Sequence, residues 1–264
     1  MKIATFFIVL FTSIFSLPIL IQAQGENDKA KAEALIRDAI KVRGGAAYLK
    51  IRTLIGRGQY TAFEKGVSGI PTEFVDYIVY PDRERTEFGK GDSKYIQTNF
   101  GDEGWIYDGA QKMIRAQTEE QVKAFRVNLR HDLDAILKYA WQETGAELVY
   151  VGRREIWRNQ FSEAVRINYS DGLSVTLYFD TRTKFPLMSE YRTQQKDEDG
   201  NTRIIDNQVR FARWINYNGV QFSTTQDVYR NGVQAARVFY DSVSFDAQVP
   251  DKLFAKPNNI KEVK

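Results

Sequence analysis

Few side chains in this sequence could perform catalysis. His131 is the only histidine, and cysteine is absent. A Ser-His-Asp triad would need that one histidine, and no Gly-x-Ser-x-Gly turn accompanies it. His131 also lies two residues from both Leu129 and Leu133, off the apolar stripe of a predicted helix, which indicates a surface position. The sequence therefore predicts a protein that is not an enzyme, with no catalytic residue, no cofactor and no metal site.

The charged side chains give no stronger signal of chemistry. Asp132 and Asp134 are two residues apart on the same predicted helix, so they point in different directions and are interpreted as a solvated face. Arg83 and Arg85 could contact anionic headgroups, although salt bridges at a sheet edge explain such a pair more simply. The 37 Lys and Arg and the 34 Asp and Glu are interspersed, and a formal charge of +3 does not indicate a nucleic-acid partner.

The first 23 residues have the pattern of a signal peptide. Lys2 is followed by an apolar run from Ile3 to Leu20, and Ala23 provides the small residue of a cleavage site. The alternative is an uncleaved anchor, because the run approaches the roughly 18 residues that a membrane span needs. Residues 1–23 are therefore predicted to direct export of the chain, and with either interpretation the folded part lies outside the cytoplasm.

Hydrophobic periodicity predicts two helices that must position any site. The first covers residues 29–43 and ends at Gly44, the first of two consecutive glycines. The second covers residues 118–141 and begins with a capping-box pattern at Thr118. Residues 24–257 are predicted to form a single domain, and residues 258–264 a charged tail.

The remaining segments alternate in the manner of half-buried strands. In the clearest of them, Leu173, Val175, Leu177 and Phe179 share one face. Asp-Gly and Asn-Gly pairs separate the later strands as hairpin turns. The predicted fold class is mainly β (α+β): a curled antiparallel sheet that forms a half-open β-barrel of about 11–13 strands. The N-terminal helix and the inserted helix are expected to cover its concave side.

Two interpretations of the apolar interior remain open at this point. The 17 Phe, 14 Tyr and 4 Trp residues suit an ordinary aromatic core. A curled sheet that does not close can also leave an apolar cavity for a small ligand. Composition alone favours the core.

Several short motifs carry a resemblance to a known family. Residues 100–107 contain Gly101, Trp105 and Tyr107 in the order Gly-x-x-x-Trp-x-Tyr. Residues 178–186 combine a strand, an Asp-x-x-Thr turn and a proline, and residues 243–257 provide a closing strand and a Leu-Phe tail. These motifs resemble the LolA-like family of periplasmic lipoprotein carriers over nearly the whole mature chain. Phe100 stands where that family usually has Asp.

The resemblance implies a half-barrel whose cavity binds the acyl chains of lipoproteins or lipids. It also implies a donor protein in the inner membrane and an acceptor at the outer membrane. Carriers of this family have an arginine before a strand-opening proline, whereas this chain has Tyr80 before Pro81. Tyr80, Arg83 and Arg85 are therefore the candidates for headgroup contact or handover. The predicted lipid-binding side chains are Val122, Phe125, Leu129, Leu133, Trp105, Tyr107, Leu173, Val175, Leu177, Phe179, Val209 and Phe211.

The inserted helix is predicted to act as a lid. Its apolar stripe, which includes Val122, Phe125, Leu129 and Leu133, would compete with an acyl chain for the concave face of the sheet. The alternative function on the same fold is an envelope sensor or a protein-interaction module that binds a partner through the open edge of the sheet.

Overall fold

The computed structural model describes residues 18–196, 199–258 and 260–262. Residues 1–17 of the predicted signal peptide lie outside this part of the chain, and residues 18–23 belong to the first helix. Within the described ranges, no helix is long and apolar enough to cross a membrane.

Helices precede and interrupt a long run of strands. The α-helices are α1 (Pro18–Val42), α2 (Ala46–Lys50), α3 (Glu119–Leu129) and α4 (Leu133–Lys138). The strands are β1 (Thr53–Glu64), β2 (Val67–Ser68), β3 (Thr72–Val79), β4 (Arg83–Phe88), β5 (Tyr95–Phe100), β6 (Glu103–Asp108), β7 (Met113–Ala116), β8 (Glu147–Trp157), β9 (Gln160–Asn168), β10 (Ser174–Asp180), β11 (Pro186–Lys196), β12 (Thr202–Tyr217), β13 (Val220–Arg230), β14 (Val233–Phe245) and β15 (Lys261–Glu262). Short 3₁₀ turns cover Gly91–Ser93, Ala140–Gln142 and Asp251–Leu253.

All strands of the described residues belong to one open sheet. Its order is β15-β7-β6-β5-β4-β3-β1-β14-β13-β12-β11-β10-β9-β8, and β2 pairs with β1. Neighbouring strands are antiparallel except β15, which runs parallel to β7. The two ends of this order do not pair, so the curled sheet stays a half-open barrel. The predicted fold class is confirmed. The strands longer than two residues also agree in number with the predicted 11–13.

The centre of the sheet joins the two ends of the sequence. β1 lies between β3 and β14, and Leu54 of β1 pairs with Phe245 of β14. The backbone N–H of Arg52 donates to Asp246 Oδ1 at 2.8 Å, across 194 positions in the chain. The first and last long strands are therefore direct neighbours.

Helix α1 packs on the second half of the sheet. Its apolar stripe meets the inward side chains of β8, β9 and β10, which together form the main hydrophobic core. The helix ends at the predicted glycines. Gly44 has φ of 120°, and a Cβ there would lie 2.6 Å from the Gly219 carbonyl oxygen, so only glycine fits. The core includes Ala32, Leu35, Ile36, Ala39, Ile40, Leu148, Val165, Ile167, Val175, Leu177 and Phe179.

The single helix predicted over residues 118–141 was wrong, because the chain forms α3 and α4 with a break between them. Helix α3 begins as predicted: Gln121 N–H donates to Thr118 Oγ1 at 3.3 Å, and Thr118 N–H donates to Gln121 Oε1 at 3.1 Å. Asp132 then caps α4 by accepting from the Ala135 N–H at 2.8 Å. A capping residue needs extended backbone, and Asp132 has ψ of 131°, so the helix cannot run through it.

The C-terminal segment (residues 246–258 and 260–262) packs on one side of β5, β6 and β7. Trp105 Nε1–H donates to the Phe254 carbonyl oxygen at 2.9 Å, and the Phe254 side chain is buried. Within the predicted charged tail, Ile260 packs on the same cluster and β15 pairs with β7. The described part of the tail is therefore docked on the sheet.

Candidate functional site

An inner cavity of about 620 Å³ lies between the concave face of the sheet and the helices α3 and α4. Strands β1, β3, β4, β13 and β14 form its floor, and one side of α3 forms its roof. The alternation of each strand turns every second side chain into the cavity. Its apolar walls are Leu54, Phe74, Ile78, Phe88, Phe125, Leu129, Phe211, Phe222, Val228 and Val238.

Several residues assigned to the site from sequence do line this cavity. Helix α3 and the start of α4 contribute to its roof, while β12 contributes to one wall. Tyr80 lines the cavity, and its hydroxyl donates to Asp134 Oδ2 at 3.2 Å. The predicted lipid-binding residues in the lining are Phe125, Leu129, Leu133, Val209 and Phe211.

The predicted lipid-binding residues of β10 and the turn before it lie elsewhere. Val175, Leu177 and Phe179 are fully buried beneath α1 and α4, and Leu173 packs against the same core. They face inward, as the alternation predicts, but the helices already fill that half of the barrel. These four residues therefore form the core and do not line the cavity.

Trp105 and Tyr107 face away from the cavity. Asn99 lines the cavity, so the adjacent Thr98 and its cross-strand partner Trp105 face the other side of the sheet. Tyr107 shares that side, where it packs with Ile96 in a separate cluster. The assignment of both aromatic residues to the cavity is therefore corrected, because the C-terminal segment covers their face.

Arg83 and Arg85 hold the C-terminal segment. Arg83 pairs with Asp251 at 2.6 Å. Arg85 donates to Glu87 at 2.7 Å and to the Leu253 carbonyl oxygen at 2.9 Å. Arg83 also borders the inner cavity, although its guanidinium group is engaged with Asp251, whereas Arg85 is not among the residues that line the cavity.

An outer groove of about 1700 Å³ runs between the far side of α3, the β5–β6 hairpin and the C-terminal segment. The predicted lipid-binding residue Val122 lines this groove, as does Trp105. Phe100, which also lines it, is 47% exposed. The two sides of α3 thus face two different concave surfaces.

Sequence reasoning missed the carboxyl groups in the inner cavity. Burial raises the pKa of Asp76, and hydrogen bonds from Thr86 and Tyr240 lower it. The effect of burial is larger, so the pKa is about 6. Burial, together with the charges of Asp76 and Asp132, raises the pKa of Glu84 to about 8. Asp76 stands between Val75 and Tyr77 on β3, and Glu84 stands between Arg83 and Arg85 on β4, so neither sequence pattern shows that the carboxyl group faces inward.

His131 is not the surface residue that the helical pattern predicted, whereas Asp132 is exposed, as its assignment to a solvated face requires. Asp132 lines the cavity, and the surrounding protein and the charge of Asp134 raise its pKa to about 6, although its side chain stays accessible. His131 is buried and stacks on Tyr191 with ring centroids 4.0 Å apart. Burial and the charge of Arg130 lower the pKa of His131 to about 4, so its imidazole is neutral at pH 7.

Asp134 was also assigned to a solvated face, and it instead anchors α4 to the end of α1. The Arg43 guanidinium, 2% exposed, donates to Asp134 and, at 2.8 Å, to the Tyr48 hydroxyl. The Tyr48 hydroxyl donates to Asp134 at 2.7 Å. Burial opposes ionisation of Asp134, yet the Arg43 charge and the Tyr48 hydrogen bond lower its pKa below the usual value. Lys138 adds a hydrogen bond to the Tyr48 carbonyl oxygen at 2.7 Å.

Three further polar side chains of the cavity lining are buried without partners. Asn99, His131 and Ser189 are 4%, 4% and 0% exposed. Asn99 Oδ1, Ser189 Oγ and both imidazole nitrogens make no hydrogen bond within the described part of the chain. In the same ranges, no group of three or more His, Asp or Glu side chains is arranged to hold a metal ion.

The raised pKa of Glu84 predicts that Glu84→Gln stabilises the protein at alkaline pH. The folded-state pKa of about 8 exceeds the ordinary 4.5, so the folded state binds more protons and wild-type stability increases as pH falls from 9 towards 4.5. Gln carries no charge to desolvate. We expect Glu84→Gln to raise the free energy of unfolding at pH 9 by on the order of 2–4 kcal/mol, with a much smaller gain at pH 5.

Urea titrations of both proteins at pH 5, 7 and 9 measure this difference. Glu64→Gln is the matched control, because Glu64 is exposed on β1 outside both concave surfaces. Equal gains for Glu84→Gln at pH 5 and pH 9 would show that charge at this position is not what destabilises the wild type.

The open sheet, the covering helices and the inner cavity define the class of structure as a LolA-like half-barrel. A LolA superfamily protein from Nitrosomonas europaea has a similar structure, with a TM-score of 0.54 and 12% identity over 85% of this chain and 97% of that one. An outer membrane lipoprotein-sorting protein domain from Vibrio parahaemolyticus gives a TM-score of 0.52 at 13% identity, over 84% and 97%. The predicted LolA-like fold is confirmed. No family model matches the sequence, and no curated protein matches it either.

Proposed function

We propose that this protein is a periplasmic, non-enzymatic carrier that holds an acyl chain of a lipoprotein or lipid in the inner cavity. The cavity itself is the observation that carries this proposal. Its volume of about 620 Å³ is typical of small-molecule sites, and apolar side chains from six strands and α3 form its walls. A chain of about 16 carbons would gain roughly 10 kcal/mol from burial, before the costs of ordering it.

Helix α3 is the movable part of this mechanism. Only Phe125 among its residues is buried, whereas Leu133, Ile136 and Leu137 of α4 lie in the main core. We therefore propose α3 alone as the lid, in place of the whole of residues 118–141. A ligand that displaces Phe125 from the cavity exchanges one apolar contact for another. The ligand-bound and ligand-free states therefore differ little in free energy, and the ligand can be released.

The predicted signal peptide at residues 1–23 supports a periplasmic location, where the ligand would pass between an inner-membrane donor and an outer-membrane acceptor. Tyr80 remains the candidate for headgroup contact, because it lines the cavity. Arg83 and Arg85 are candidates for handover through the outer surface, since both hold the C-terminal segment there.

Native mass spectrometry of the protein purified without detergent tests the carrier function. We expect a second mass peak that corresponds to one bound lipid, and we expect a neutral fluorescent apolar dye to compete with it. Protein that is always free of lipid and that never enhances the dye's fluorescence would contradict the proposal.

Phe125→Ala tests the lid. We expect a loss of about 2–5 kcal/mol in the free energy of unfolding, together with a severalfold gain in affinity for the neutral dye, because the ligand then displaces less lid contact. Ile136→Ala is the matched control: Ile136 is fully buried in α4, so its truncation lowers stability without raising affinity. A loss of stability with no gain in affinity for Phe125→Ala would identify α3 as fixed core.

The exposed Phe100 in the outer groove favours a second candidate, a protein-interaction or sensor module. Such a partner would bind the outer groove and leave the inner cavity unused. Capture of periplasmic proteins by the wild type, but not by Phe100→Ser, would support it if dye binding were equal in both. Equal capture by the two proteins would count against it.

A further inference from the structure

The inner cavity is apolar over much of its wall but has acceptor groups concentrated at one place. Glu84 pairs with Asn99 across β4 and β5, and it lies diagonally from Asp76, which pairs with Thr86 across β3 and β4. All four side chains line the cavity. Asp132 faces the same space from the turn between α3 and α4. The carboxyl groups of two strands and one turn therefore converge on one region.

The cations near this region are already engaged elsewhere. Arg43 is bonded to Asp134 and Tyr48. Arg83 borders the cavity, but it is paired with Asp251 of the C-terminal segment at 2.6 Å. No ion pair to Asp76, Glu84 or Asp132 occurs within the described part of the chain, so this end of the cavity is acidic.

Buried acceptors in the same region lack donors. Asp76 and Asn99 are 7% and 4% exposed, and Asp76 Oδ1 and Asn99 Oδ1 accept no hydrogen bond from any described residue. Asp76 Oδ2, by contrast, accepts a hydrogen bond from the Tyr240 hydroxyl at 3.1 Å. Buried acceptors without donors destabilise a fold, and they persist where a ligand supplies the donors.

We propose that the inner cavity selects an apolar chain that carries a protonated primary amine, with the ammonium group held by Asp76, Glu84 and Asn99. This inference rests on the proposed function, because it names the ligand class of the same cavity. A primary ammonium has three N–H donors and no acceptor, which matches a group of acceptors without donors. Its hydrogen bonds to carboxylates are charge-assisted and are stronger than those of a neutral hydroxyl.

The other common head groups fit this end of the cavity less well. A fatty acid would place another carboxylate beside Asp76 and Glu84, and like charges at short distance repel in a site of low dielectric constant. A fatty alcohol offers one neutral donor. A bound cation favours the ionised forms of Asp76 and Glu84, so it would lower the pKa values that burial raises in the free protein.

Competition against the neutral fluorescent dye at pH 7.5 tests the preference. The probes are hexadecylamine, hexadecanol and hexadecanoic acid, each below its critical micelle concentration. We expect the amine to bind at least about tenfold more tightly than the alcohol, and the acid to bind most weakly. Lysophosphatidylethanolamine and lysophosphatidylglycerol then distinguish the source of the amine. Preference for lysophosphatidylethanolamine identifies a phospholipid headgroup. Binding of hexadecylamine but of neither lysophospholipid identifies a simple alkylamine.

Two variants test the residues that hold the ammonium. Glu84→Gln and Asp76→Asn are each expected to reduce the ratio of amine affinity to alcohol affinity by about tenfold, and Glu64→Gln to leave it unchanged. Loss of folding does not confound Glu84→Gln, since that change is expected to stabilise the protein.

The outcomes that contradict the two proposals differ. Equal affinities for the amine, the alcohol and the acid, or an unchanged ratio in both variants, would overturn the amine preference and leave acyl-chain binding intact. Failure of every chain to displace the dye would overturn the carrier function itself.

Discussion

Leu177→Asp is expected to leave the chain largely unfolded in the absence of denaturant. Leu177 is 0% exposed on β10, between Val165 of β9 and Ser189 of β11, and it packs in the core that α1 and α4 cover. A carboxylate there has no cation to pair with, and its desolvation would cost several kcal/mol, a large share of the ~5–15 kcal/mol that stabilises a typical domain. Loss of the near-ultraviolet circular dichroism signal and of a cooperative thermal transition would measure the effect.

Thr176→Asp is the matched control on the adjacent position. Thr176 points to the other face of β10, where it lies opposite Arg166 on one side and Glu190 on the other. A carboxylate at this partly exposed position meets one opposite and one like charge, so we expect a change in stability within about 1 kcal/mol. Similar melting temperatures for the two variants would refute the assignment of the two faces.

Asp134→Ala is expected to lower the free energy of unfolding by about 3–5 kcal/mol, because it leaves the buried Arg43 guanidinium without its carboxylate. The Tyr48 and Tyr80 hydroxyls also lose their acceptor. Urea denaturation at pH 7 measures the loss. Asp241→Ala, which removes an exposed carboxylate from β14, should change stability by less than about 0.5 kcal/mol.

A double variant separates the value of the ion pair from the cost of breaking it. Arg43→Met combined with Asp134→Leu removes both charges and keeps apolar volume, so we expect it to recover most of the stability lost in Asp134→Ala. A double variant that is as unstable as Asp134→Ala would show that the hydrogen bonds of the tyrosines, rather than the unpaired charge, account for the loss.

The parts of the fold that depend on local pattern could be predicted from the sequence. The alternation of Val175, Leu177 and Phe179 identified an inward face, and the apolar stripe that ends at Gly44 identified the first helix. In both elements one face is buried and the other is exposed to solvent, so apolar and polar residue types recur at the spacing of that element.

The composition of the cavity could not be predicted in this way. Asp76 and Glu84 face inward on strands whose inner side borders a cavity, so polar and apolar residues are both tolerated there. The alternation of polar and apolar residues therefore does not identify the inner face of these strands. The break after α3 depends on a cap at Asp132 that the apolar stripe of the helix concealed. His131 is buried only because β11 places Tyr191 against it, a contact between distant parts of the chain.

The position of β1 beside β14 also determines the order in which the protein can be completed. During synthesis β1 emerges early, but its partner at Phe245 emerges only near the end, and pairings between such distant segments form slowly. Without β14 the strand order of the sheet divides into two parts, one that ends at β1 and one that ends at β13, and β14 covers both of these edges. A chain that stops before β14 keeps both edges, which are templates for pairing with other chains. The final long strand therefore covers two edges that would otherwise be open to pairing with other chains.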